Sequence, residues 1–358
     1  MGLNSFQTSG SSPGDSSRCR VAIHGLGPVG SAVARRVATH PALRLVAFCD
    51  RRARELRPRF PAQFDALSWT DRYDDLLTGD ADIIVDALPT GEPSADAVRA
   101  ALLSGKSVVT ANRHLMASSG PALLTLAERQ GRQLRYAAAV GGAMPLVSVL
   151  AEALSGDHIV RVDATLSGMA NAVLTTMAAR GCALDDAIAE ACAMGIADGD
   201  PLADLSGATS VAALRVVCAL AFGLDVRRED VACASATDVA PAAVRAAAAG
   251  GRVVRLVSHA SYDREADALR AWVAPRSLSE RDPLATSDGA TVVAAIRGAA
   301  TGTICVSGPG AGPDAMATAV VSDLLTIARD RAAIVPAPVL VRPGVVMPPP
   351  DLTLSEAL

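Results

Sequence analysis

The sequence predicts an α/β fold: a Rossmann-type parallel sheet domain joined to a second α+β unit. Three observations carry that prediction. Short apolar runs alternate with helical stretches over the first 145 residues, a glycine triplet sits where the first run meets the first helix, and the texture changes after Pro145. With 358 residues the chain is about two domains long and can bury a substantial core.

Taken in order, Arg20–His24 is a strand candidate leading into Gly25-Leu-Gly-Pro-Val-Gly30 and the helical stretch Ser31–Thr39. Leu43–Cys49 reads as a second strand ending at Asp50, and Ile83–Ala87 as a third, followed by a turn rich in Pro, Thr and Gly. Helix Ser94–Ser104, strand Ser107–Thr110, a helix near Pro121–Gln130 and strand Leu134–Ala139 complete the first half. Strands alternating with helices imply a parallel sheet covered on both faces. Beyond Pro145, helices at Leu146–Leu154, Ala170–Ala179, Leu184–Met194 and Thr209–Phe222 alternate with strand-like Arg161–Ser167, Arg252–Ser258 and Thr303–Val306. The long helix Ala315–Arg329 is expected to pack back on the first domain. The expected division is a disordered tail over 1–18, a dinucleotide-binding domain over 19–145 with its return helix within 310–335, a second domain over 146–309, and a proline-rich tail over 336–358.

Half of the residues are apolar but only 3% are aromatic, so Ala, Val and Leu must build the core. The net charge of −4, the lack of a basic block and the scarcity of rings for base stacking argue against nucleic-acid binding. No apolar run is long enough to span a bilayer, and the polar start lacks a signal-peptide core, so a cytoplasmic protein is expected. Seven scattered cysteines with no CxxC pair read as reduced thiols, with no metal site.

Gly25, Gly27 and Gly30, with Pro28 and Val29 between them, place a pyrophosphate on a helix N-terminus with no side chain in the way. Asp50 follows 20 residues after Gly30 at the end of the next strand, the position that holds the ribose hydroxyls of NAD. Arg51 and Arg52 next to it suit the 2′-phosphate of NADP. The sequence leans to NADP and leaves NAD open; the alternative is a bare glycine turn beside solvated arginines.

Six blocks then occur in order: GLGPVG at 25–30, DALPTGEPSADAV at 86–98, GKSVVTANRHLMA at 105–117, AAVGGAMPL at 138–146, ADGDPLADLSG at 197–207, and GPGAG followed by ATAVVSDL at 308–324. In these the chain resembles homoserine dehydrogenase, closest to the short form without a C-terminal regulatory domain, over roughly residues 20–330. The resemblance implies an NAD(P)-binding domain, a substrate and dimerisation domain, a homodimer, and hydride transfer between homoserine and aspartate semialdehyde. It adds Leu88, Pro89, Thr90, Asn112 and Gly310 to the cofactor residues.

The family's functional residues carry over only in part. Its Glu-x-Asp-Pro run reads Asp198, Asp200 and Pro201, and Asp204 and Gly207 are retained, but its last aspartate is Thr209 and its lysine is Ala213. Those two are the residues to which the family's proton transfer is usually assigned. The lysine after Thr-Ala-Asn is Arg113, the Asn-Gly-Thr turn reads Ser167-Gly168-Met169, a substrate tyrosine is Ile196, and a cation-binding glutamate is Ala137. The only lysine, Lys106, belongs to a Gly-Lys turn where a surface charge is expected.

The catalytic candidates are therefore Arg113, His114, Asp198 and Asp204, and the substrate candidates Gly168, Met169, Ile196, Thr209 and Ala213. Each has a plainer reading. His114 suits a helix-start surface histidine, Asp200, Asp204 and Thr209 suit helix caps, His24 a structural role, and Cys182 and Cys192 inert thiols. The sequence reads as an NAD(P)-dependent oxidoreductase with a rewritten substrate site, acting on a different alcohol, aldehyde or amine. The alternatives are a non-catalytic or regulatory relative that kept the fold, and a homoserine dehydrogenase with atypical residues.

Overall fold

Two sheets organise the chain in the computed structural model, which describes residues 18–88, 94–196, 200–333 and 337–352. The first half runs β1 (Cys19–His24), α1 (Pro28–Thr39), β2 (Leu43–Cys49), α2 (Ala53–Leu56), β3 (Ser68–Thr70), α3 (Asp74–Thr78), β4 (Ile83–Asp86), α4 (Ser94–Leu103), β5 (Ser107–Thr110), α5 (Arg113–Arg129) and β6 (Leu134–Arg135). Its six strands are all parallel, in the order β3-β2-β1-β4-β5-β6. The order reverses between β1 and β4, and such a switch point opens a crevice at the carboxyl ends of the strands. There Cys49, His24, Asp86 and Thr110 stand in register across four strands.

The second half continues with α6 (Leu146–Ser148), which runs on as a π-turn through Ala153, then β7 (Ile159–Ala164), α7 (Gly168–Arg180), α8 (Leu184–Ala193), α9 (Pro201–Leu205), α10 (Ala208–Phe222), β8 (Ala232–Cys233) and α11 (Pro241–Ala249). Four long strands follow, β9 (Arg252–Asp263), β10 (Ala268–Ser279), β11 (Thr291–Gly298) and β12 (Gly302–Pro309), and the last elements are α12 (Pro313–Arg329) and β13 (Val345–Val346). The second sheet has the order β12-β11-β7-β9-β10-β13 with β8 also on β10. Its five long neighbours pair antiparallel.

Alternation along the parallel strands divides the core. Val21, Ile23, Ile83, Val85 and Val109 face α1 and the return helix α12, through Val33, Val37, Val320 and Leu324. Ala22, Ile84 and Val108 face the other way, into a cluster that continues through Leu115 and Leu123 of α5 to Val211 and Leu214 of α10 and the inner face of the second sheet. The two halves thus share one apolar core across the α5–α10 seam. Residues 337–352 run along the outside of that seam. Ala337 N–H donates to Glu128 at the end of α5, Val341 pairs with Gly223 and Asp225 at the end of α10, Arg342 bonds Asp230, and β13 joins β10.

Several expectations need correction. The helix expected from Pro121 begins at Arg113, because Asn112 Oδ1 accepts the Leu115 N–H and caps it there. Pro121, which reads as a first-turn residue, lies inside the helix. The strand expected over Leu134–Ala139 stops at Arg135, since the Ala137 N–H donates to Asp323 (2.7 Å) in place of a strand partner. The strand expected to Ser167 ends at Ala164, and Ser167 caps α7. Strands β3, β8, β10, β11 and β13 and helices α2, α3, α9 and α11 go beyond what the sequence predicts. In β10, Pro275 argues against a strand, yet among the described residues only β9 pairs there, because β8 and β13 pair with β10 no further along than Val273. The tail expected over 1–18 lies almost wholly outside the described residues, which begin at Arg18.

Candidate active site

The switch point opens into a cleft of about 980 Å³ between the glycine turn and the N-termini of α5, α9 and α10. Its floor is set by β-strand ends. Asp86, almost fully buried, accepts the hydroxyls of Ser94 (2.5 Å) and Thr110 (2.7 Å), and the Thr110 hydroxyl in turn accepts the Asn112 N–H (3.0 Å). Burial raises the Asp86 carboxyl above the ordinary range, against the pull of those hydroxyls. This chain of bonds fixes where α5 starts, and with it Arg113 and His114.

The three turn glycines are required for different reasons. A methyl group on Gly30 would lie 1.9 Å from the Gly25 carbonyl oxygen, and one on Gly25, which has φ +94°, would lie 2.8 Å from the Ala87 carbonyl oxygen. Those two are demanded by the fold. Gly27 caps α1 with an ordinary φ of −66° and nothing within 4 Å of the place its side chain would occupy. Neither packing nor backbone asks for glycine at 27, whereas a pyrophosphate lying on the N-terminus of α1 does. The cleft therefore fits a dinucleotide.

Gly25, Gly27, Pro28, Val29, Asp50, Arg51, Arg52, Leu88 and Asn112 line the cleft, and Gly30 lies behind it. Pro89 and Thr90 lie outside the described residues. Gly310 does not line it: a side chain there would run into Val292 at 2.2 Å, so packing explains that glycine. Asp50 is already engaged. One oxygen accepts the Leu26 N–H and the other the Arg52 N–H, each at 2.8 Å.

Where α5, α9 and α10 meet the cleft, Arg113, His114, Asp200, Asp204 and Thr209 line it together. Asp200 caps α9 through the Leu202 N–H (2.9 Å), and Asp204 accepts the hydroxyl of Ser167 (3.2 Å), which ties α9 to α7. Burial and the charge on Arg113 lower the His114 imidazole, with Arg215 acting the same way and Asp204 opposing. Asp198 lies outside the described residues. Gly168, Met169, Ile196 and Ala213 are not in the lining. A side chain at Gly168 would run into the Ala290 carbonyl and Ala311; Met169 and Ala213 are core residues at 2% and 1% exposure, and Ile196 packs against the same core. Lys106 is far from this chemistry, its ammonium bound to the Gly79 carbonyl (2.6 Å).

Sequence reasoning missed Tyr73, Asp71, Asp74 and Met316, all of which line the cleft. Tyr73 follows an unrecognised strand and donates to the Ala97 carbonyl (2.8 Å), with its ring 4.5 Å from that of His24. Met316 comes from the first turn of α12, and the GPGAG block before it was the available signal. A separate depression of about 680 Å³ on the outer face of the second sheet, lined by Arg161, Trp272, Arg276 and Arg297, is remote from the strand ends that carry these groups.

A family model described as "Homoserine dehydrogenase" matches residues 145–325, and one described as "Homoserine dehydrogenase, NAD binding domain" matches residues 25–137. The chain is 35% identical over 329 residues to homoserine dehydrogenase of Mycobacterium tuberculosis, which covers 89% of this chain and 74% of the relative. It belongs to the homoserine dehydrogenase family. A cyanobacterial family member, from Synechocystis, is 31% identical over 250 residues, covering 69% of this chain and 58% of its own. The solved homoserine dehydrogenase from Thiobacillus denitrificans superimposes with a TM-score of 0.81 at 27% identity, over 94% of this chain and 79% of that one. A hyperthermophilic archaeal homoserine dehydrogenase in complex with NADPH gives 0.74 at 26%, over 90% and 99%. The chain is thus a homoserine dehydrogenase-like oxidoreductase with a dinucleotide-binding Rossmann fold. No helix among the described residues is long and apolar enough to cross a membrane.

Proposed function

We propose that this chain transfers hydride between a nicotinamide dinucleotide and a small alcohol or aldehyde, with homoserine and aspartate semialdehyde as the first pair to test. Gly27 carries the cofactor half of the reading: it is a glycine that only a ligand requires. The names of the relatives support the substrate half. Bound, the dinucleotide supplies the hydride acceptor or donor. The chain's own part would be to hold the pyrophosphate at Gly25–Gly30 and to place Asn112, Arg113, Asp204 and Thr209, which line the same cleft, against the reacting groups.

The cofactor proposed is NADP. Asp50 is held by one backbone N–H on each oxygen, and the exposed Arg51 and Arg52 beside it suit a 2′-phosphate. The protein is proposed to act in the cytoplasm as a homodimer through the outer face of its second sheet. Arg161, Arg270, Arg276 and Arg297 with Asp163 and Asp282 offer both signs of charge on that face to a second copy.

A second reading keeps the hydride chemistry but changes the substrate. It is favoured by Ala213 and Met169, apolar and buried where the resemblance implies a lysine and a threonine, and by the remoteness of Lys106. Calorimetric titration with NADPH and NADH, followed by turnover of L-homoserine against a panel of short alcohols and amines, tests both. Turnover of homoserine above the rest of the panel supports the first reading, and preference for another alcohol or amine supports the second. Absence of binding by either nucleotide would overturn both in favour of a non-catalytic relative.

A further inference from the structure

The cleft contains many titratable groups, and most of them are committed elsewhere. Burial pushes the Cys49 thiol up to about 12 and the Tyr73 phenol higher still, so neither releases a proton near neutrality. His24, Cys49, Asp50 and Tyr73 belong to β1, β2 and the segment before α3, at the nucleotide end. At the substrate end Arg113 cannot give up its proton at useful pH. Asp200 and Asp204 are held by the Leu202 N–H and the Ser167 hydroxyl. One group there is an imidazole.

We infer that His114 exchanges the proton with the substrate oxygen. This rests on the hydride-transfer reading above and adds the residue that completes it. His114 lines the cleft on the first turn of α5, two residues past the Asn112 cap and half-buried next to Arg113, and Asp204 of α9 lines the same cleft. Burial first, and then the charges of Arg113 and Arg215, disfavour imidazolium, and Asp204 opposes them. The net result is a neutral ring at neutral pH, ready to accept a proton. When an alcohol is oxidised, its C–H bond gives hydride to the bound nicotinamide and its O–H proton passes to the imidazole. The carbon–oxygen double bond forms, and the ring releases the proton to water.

The test combines nuclear magnetic resonance of the imidazoles with kinetics on the full chain. The His114 signal, assigned by its loss in His114→Gln, should titrate below the ordinary 6.5 and move when NADP⁺ saturates the protein. His114→Gln should lower kcat for alcohol oxidation about a hundredfold with KM and nucleotide affinity unchanged. The acid limb of the pH profile should disappear with it. Added imidazole should restore part of the rate to His114→Ala, which a purely structural role would not permit. A His114 signal indifferent to NADP⁺, or a glutamine variant with wild-type kcat and pH profile, would overturn the assignment. If the wild type turns over nothing in the panel, the hydride-transfer reading fails, whereas the NADP⁺ response of the signal still decides whether His114 adjoins the nicotinamide.

Discussion

At the nucleotide end of the cleft the backbone makes the site: two glycines are fixed by close approach, a third is left open for a ligand, and side chains are secondary. At the other end five side chains from the starts of three helices make it, placed by caps, by hydrogen bonds and, before α10, by the left-handed Gly207. The first kind of site survives sequence change because a wrong residue breaks the fold. The second can be rewritten residue by residue, since Arg113, His114, Asp200 and Asp204 line the cleft without being buried in the core. A conserved fold with an altered chemistry is most easily reached by changing the second end.

The sharpest way to break this contrast is at Gly30. Gly30→Ala puts a methyl on the Gly25 carbonyl and should cost about 3 kcal/mol, read as a large drop in the thermal midpoint. A midpoint unchanged from wild type would mean that the turn is not held as described.

Asp323 lies on α12, outside the cleft lining, with its carboxyl accepting the Ala137 N–H. Burial raises it from 3.8 to about 6, against the Ala137 hydrogen bond and Arg135. Because the folded chain holds this proton more tightly than the unfolded one, the stability it contributes is present below about pH 4 and lost as pH rises through 6. Asp323→Asn keeps an acceptor for Ala137 and should stabilise the protein by about 3 kcal/mol at pH 7.5, with the gain gone at pH 4. Denaturation at the two pH values measures it, and a gain equal at both would refute the burial argument.

Gly27→Val sharpens the comparison from the other side. It should leave the thermal midpoint in place and weaken NADPH binding about a hundredfold, or about 2.7 kcal/mol. Loss of stability without loss of affinity would reverse the roles given to Gly27 and Gly30. The smallest effect is expected from Arg51→Ala and Arg52→Ala, each weakening NADPH about tenfold while leaving NADH nearly untouched. Equal losses for both nucleotides would remove the case for NADP.

Much of the first half was legible because its signals are local. The strands Leu43–Cys49 and Ser107–Thr110 are apolar runs with clear ends, and the glycine spacing marks its own turn. The start of α5 was not, because Pro121 advertises a helix start that Asn112 had already supplied. Nor were β10 and β11, whose arginines and proline are tolerated only because of which neighbours lie beside them. The substrate end shows the same limit. Sequence could place Asp204 and Thr209 by type, but not that Ser167 ties one of them to α7 or that Ala213 sits within the core.

The return helix has a consequence for how the chain is made. Val33 and Val37 of α1 and Val21 and Ile23 of β1 are covered by α12, which begins at residue 313. A chain emerging from the ribosome N-terminus first therefore has nearly all of its nucleotide-binding strands in hand long before the helix that closes one side of them exists. During that interval an apolar surface stays open, and the first half must wait for the second before it is finished. The order of synthesis thus makes the cofactor site one of the last parts of the molecule to become complete.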